Sequence, residues 1–102
     1  MPLSKAYLLA YKYLPERLEQ HYQDLPFSNH CYLRMALDVV IGNQWDLKIK
    51  KPAYRHLNPE QLQCVVHVLK EYLTNNTLII EHHAISLRYR AAYKGRQQKL
   101  KL

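Results

Sequence analysis

Ser28-Asn29-His30-Cys31-Tyr32-Leu33-Arg34-Met35-Ala36-Leu37-Asp38-Val39-Val40-Ile41-Gly42 is the stretch whose reading decides the fold. Leu33, Ala36, Leu37, Val40 and Ile41 recur at helical spacing, not with the strict alternation of a half-buried strand. Ser28 stands just before this series, where a hydroxyl accepts one of the unpaired backbone N–H groups of a first helical turn. Gly42 stands just after it, where a left-handed residue closes a helix. The pattern predicts a helix from Asn29 to Ile41 that forms the central stripe of the core.

Working outward, the same signals recur. Ser4 is a candidate cap for a first helix running to about Leu14, with Ala6, Leu9, Ala10 and Tyr13 on one face. Tyr7, Leu8, Tyr11 and Leu14 cover much of the rest, so this helix is expected to be buried on more than one side, centrally or against a partner chain. Pro15 suits the first turn of a second helix, about Pro15 to Asp24, with Leu18 and Tyr22 inward; Pro26 ends it. After Gly42-Asn43, Gln44 to Lys50 reads as a short helix closed by Pro52. Asn58-Pro59-Glu60-Gln61 is a start signal, with an Asn cap, Pro at the first helical position and Gln at the third. The helix it opens runs to about Thr74 and buries Leu62, Val65, Val66, Leu69, Tyr72 and Leu73. Asn75 and Asn76 end it. A last helix follows from about Thr77 to Ala92, although Thr77 to Ile80 has strand propensity and no partner strand in view. Gly95 is expected to end the regular structure.

The fold expectation is therefore all-α: a single-domain bundle of four to five helices with short connections, residues 1–94, followed by a basic C-terminal tail, 95–102. Composition agrees. Hydrophobic residues are 48% and charged residues 23% of the 102, an ordinary globular balance. The chain has only 2 glycines, fewer than the turns of an all-β protein of this length require. Its longest apolar run, Ala6 to Tyr11, is far short of the roughly 20 residues that cross a bilayer, so no membrane association is expected. No secretory pattern appears at the N-terminus, which by default places the protein in the cytoplasm, with Cys31 and Cys64 as reduced, partly buried thiols.

The formal net charge is +7, but it is unevenly placed. Arg88, Arg90, Lys94, Arg96, Lys99 and Lys101 are followed and interrupted by no acid, whereas the first 87 residues are nearly neutral. Arg88-Tyr89-Arg90, Tyr93, Lys94 and Arg96 interleave rings with cations, a combination that suits bases and phosphates. This makes nucleic-acid binding through the C-terminal end one functional expectation. The alternative is a solubilising tail on a helix whose last turn favours cations anyway.

A second candidate lies on the central helix. His30, Arg34 and Asp38 stand at i, i+4 and i+8 and form one polar row, with Trp45 shortly beyond the Gly42 break. As a small-ligand site, Arg34 would bind an anion, His30 or Asp38 would move a proton, and Trp45 would stack on a flat group. The plainer alternative is a surface stripe with an Arg34–Asp38 ion pair. No metal or cofactor is expected: Cys64 with His67, and the adjacent His82 and His83, match no zinc spacing. Cys31, beside His30 in a first helical turn, has no local motif of a catalytic thiol. The 9 tyrosines suit core edges and interfaces, and with the first helix they make a homo-oligomer or a protein partner plausible.

Residues 29–38, with Trp45-Asp46 and Lys51-Pro52-Ala53-Tyr54, resemble a pattern found in small bacterial proteins, some of them labelled GCN5-related acetyltransferases. The resemblance implies that the His30/Arg34/Asp38/Trp45 row matters and that an acetyltransferase-related activity goes with it. It implies a mixed sheet with a glycine-rich pyrophosphate loop, whereas the periodicity predicts helices. Three functional expectations stand together: a non-enzymatic, self-associating interaction module, a nucleic-acid binder, and a ligand site or enzyme on the polar row.

Overall fold

A computed structural model describes residues 5–51 and 53–100, and the side chains of all of these except 54 and 93–100. The regular elements are α1 (Lys5–Leu8), a π-helical segment (Leu9–Tyr13), α2 (Leu14–His21), α3 (Asn29–Ile41), a 3-10 turn (Trp45–Leu47), α4 (Ala53–His56), α5 (Pro59–Tyr72) and α6 (Asn76–Leu100). No strand occurs among the described residues, so the fold is an all-α bundle and not the mixed sheet of an acetyltransferase. No described helix is long and apolar enough to cross a membrane.

The N-terminal helix is not broken at Pro15. Leu8, Tyr13 and Leu14 all keep right-handed helical dihedrals, and the Leu14 N–H bonds to the Leu9 carbonyl, one residue further back than in an α-helix. Proline lacks an N–H, and its ring crowds the carbonyl four residues earlier. The wider π turn immediately before Pro15 gives that ring room, so one long helix replaces the two expected. Ala10, Leu14 and Leu18 form its inner face, while Tyr13, which helical spacing groups with Ala6, Leu9 and Ala10, is 51% exposed. Ser4, the expected cap, lies outside the described residues, as does Pro52.

α3 is the central helix, packed against α2, α5 and α6. Gly42 closes it in the left-handed conformation (φ 80°), with its N–H on the Asp38 carbonyl at 2.9 Å. Ser28 has the extended dihedrals of a cap, but its hydroxyl makes no capping bond and sits 3.5 Å from Cys31 Sγ instead. The buried face is Tyr32, Met35, Ala36, Leu37 and Asp38; Leu33, Val40 and Ile41 are only half-buried. The core stripe is thus turned from the expected one, because helices cover α3 on several sides and draw part of its polar row inside.

α5 starts as expected: Asn58 Oδ1 accepts from the Gln61 N–H at 2.7 Å, and Gln61 Oε1 accepts from the Asn58 N–H at 3.0 Å. Val65, Val66, Leu69 and Tyr72 are buried against α3 and the N-terminal helix. Each such side chain stabilises the fold by roughly 1.5–3 kcal/mol relative to exposure. α5 ends at Tyr72, and Asn75 caps α6, accepting from the Leu78 N–H at 3.2 Å. Thr77 to Ile80 is helical, and α6 continues through Gly95 to Leu100 where the sequence suggests an end.

Candidate functional site

The polar row on α3 does not gather around a cavity. His30 is exposed at the start of the helix. Asp38, four residues beyond Arg34, is fully buried and does not pair with it. Its carboxylate accepts instead from Ser86 Oγ at 2.6 Å, from Arg90 Nε at 3.1 Å, from Arg90 Nη2 at 3.2 Å, and from the Trp45 backbone N–H at 2.9 Å. Trp45 therefore joins the cluster through its main chain, and its ring packs against the core. The two carboxylate oxygens are satisfied on every side from within the protein, and a bidentate Arg fork is among the stronger of such contacts. The arrangement ties the end of α3 to the middle of α6 and pins the turn after Gly42.

Arg34 reaches α6 one turn earlier. Its Nη2 lies 3.3 Å from His83 Nδ1, and its buried Nε has no hydrogen-bond partner. Guanidinium only donates, so His83 accepts at Nδ1 and carries its proton on Nε2. Burial first, and then the Arg34 charge, hold the His83 imidazole below its ordinary pKa. His82 makes the matching contact with α5, its Nδ1 2.7 Å from the Tyr72 hydroxyl, and burial lowers its pKa as well. Tyr72 is fully buried, and its backbone carbonyl accepts from Tyr22 Oη at 2.6 Å. His83 and Ser86, absent from the sequence candidates, thus complete the α3–α6 seam. The available signal was their 83, 86, 90 spacing, one face of a helix.

The basic candidates separate. Arg88 is exposed, Arg90 is committed to Asp38, and the side chains of Lys94 and Arg96 lie outside the described residues. Cys64 is exposed and not partly buried as expected; Cys31 is half-buried, and both are free thiols. His67 pairs with Glu71 at 2.8 Å, and no group of residues able to hold a metal occurs among the described residues. The tyrosines are largely core material: Tyr32 and Tyr72 are fully buried, and Tyr7, Tyr11, Tyr22 and Tyr89 are half-buried.

Of the large hydrophobic side chains left exposed, Tyr13 and Leu47 stand singly, and Ile80 and Leu87 lie together on α6. Ile79, Ser86, His83 and Arg90 face α3, while Ile80, Ala84, Leu87 and Ala91 face solvent. Ile80 is 54% and Leu87 48% exposed. Their intervals of four, three and four residues form a continuous row on one side of the helix, the spacing of a coiled-coil seam. A groove lined by Leu25, Asn76, Thr77, Ile80 and Glu81 adjoins the first of them. No protein-family model, curated protein or solved structure matches the chain.

Proposed function

We propose that this protein is a small, non-enzymatic helical interaction module that associates with a second copy of itself through the outer face of α6. The carrying observation is the exposed Ile80-Ala84-Leu87-Ala91 row, seam-spaced on a helix whose neighbouring face, about 100° round, is already anchored to α3. An isolated exposed leucine needs no explanation, but a regular apolar row along three turns of a rigid helix does. The anchoring by Asp38–Arg90 and Arg34–His83 supports the reading, because it fixes the rotation of α6 and keeps this row outward.

A ligand site on His30, Arg34, Asp38 and Trp45 finds less support: His30 is exposed at the start of the helix while Asp38 is fully buried, and the Asp38 carboxylate already accepts four bonds from within the protein. Sedimentation of the native protein over a wide concentration range tests the proposal. A mass that rises from monomer towards dimer is expected, and a monomeric mass up to millimolar concentration would reject it.

A further inference from the structure

Resting on that self-associating face, we infer that the two α6 helices pair antiparallel, with Glu81 of each subunit bonded to the partner's Arg88. Glu81 and Arg88 are both exposed, and neither makes an ion pair among the described residues. They are seven residues apart, two turns along one line of the helix, and both follow directly on a residue of the apolar row, so they flank it on the same side.

A twofold axis requires that if one residue meets another, the second meets the first. For an antiparallel pair this places the axis midway between the two contacting positions. The midpoint of Glu81 and Arg88 lies one residue from the midpoint of the Ile80 to Ala91 row, so the two pairings differ by two residues of register, about 3 Å, which the Glu and Arg side chains span. The same axis therefore stacks Ile80 on the partner's Ala91, sets Ala84 on the partner's Leu87, and closes two reciprocal ion pairs. Large residues meet small ones along the seam, which lets the helices approach closely.

A parallel pair does the opposite. It sets Arg88 level with the partner's Arg88 and Glu81 level with the partner's Glu81, and it brings the two acid-free stretches from Arg88 to Lys101 side by side. The antiparallel arrangement sends these basic ends in opposite directions.

Charge reversal separates the arrangements. Antiparallel pairing predicts that Glu81→Arg and Arg88→Glu each weaken the dimer, by roughly tenfold at low salt, and that the double exchange E81R/R88E restores it. A parallel pair keeps like charge level with like charge in every one of these variants, so single reversals that leave association unweakened would overturn the inference. Because both residues are exposed, a thermal unfolding curve on each variant shows whether folding is intact. Three outcomes are distinguishable. A dimer broken by Leu87→Glu but indifferent to both charge reversals overturns the antiparallel pairing and leaves the interaction face standing. A native protein that never dimerises overturns both. Weakening by each single reversal with recovery in the exchange supports both.

Discussion

Asp38 on α3 and Arg90 on α6, 52 residues apart, form a two-bonded ion pair in which the Asp38 side chain is wholly buried and the Arg90 side chain is 27% exposed. The pair explains why α6 has one defined rotation despite apolar residues on most of its circumference. Sliding or turning the helix would leave a buried carboxylate without its donors.

Removing one member of this pair should therefore cost much more than an exposed ion pair does. Asp38→Asn is expected to destabilise the fold by about 3 kcal/mol, and Ser86→Ala by about 1 kcal/mol, in urea unfolding. The double variant with Arg90→Met should lose less than the sum of the separate losses. Simple additivity would show that the two side chains are energetically independent.

Tyr32 and Tyr72 provide a matched contrast. Both are fully buried, but the Tyr32 hydroxyl has no hydrogen-bond partner and the Tyr72 hydroxyl is bonded to His82. Burial raises both phenols, Tyr32 to about 12, so both stay neutral donors at physiological pH. Tyr32→Phe should be neutral or stabilising by up to about 1 kcal/mol, whereas Tyr72→Phe should cost about 1–2 kcal/mol. Equal losses in chemical denaturation would contradict this.

His82 and His83 make the fold sensitive to acid. Each has its pKa lowered from 6.5 in the folded protein, chiefly by burial, so below that pH the unfolded chain binds protons that the folded chain refuses. Their contribution is fully present above the unfolded value and is lost as pH falls through 6.5 towards the lower folded value. The unfolding midpoint should fall between about pH 7 and about pH 5. In a His82→Asn/His83→Asn variant, which keeps acceptors but cannot ionise, that part of the fall should disappear.

Much of the fold was legible in the sequence because local signals sufficed. The Asn58–Gln61 cap and Gly42 at the end of α3 each depend on a few adjacent residues. Pro15 misled because its effect depends on whether the preceding turn can widen, and Gly95 because one glycine in a helix costs only about 1 kcal/mol. The polar row on α3 was visible, but its environment was not. Whether Asp38 meets Arg34 four residues away or Arg90 across the bundle depends on which helix covers it. The same ambiguity hid the outer face of α6. Its apolar residues lie all round the helix, and only packing separates Ile79, fully buried, from Ile80, 54% exposed.

The most direct test compares two exposed positions on different faces, Leu87 on α6 and Tyr13 on the N-terminal helix, 48% and 51% exposed. Sedimentation equilibrium of the native protein, Leu87→Glu and Tyr13→Glu at matched concentrations reads the result. A dimer is expected for the native protein and for Tyr13→Glu, and a folded monomer for Leu87→Glu. A Leu87→Glu protein that dimerises as well as the native one would contradict this.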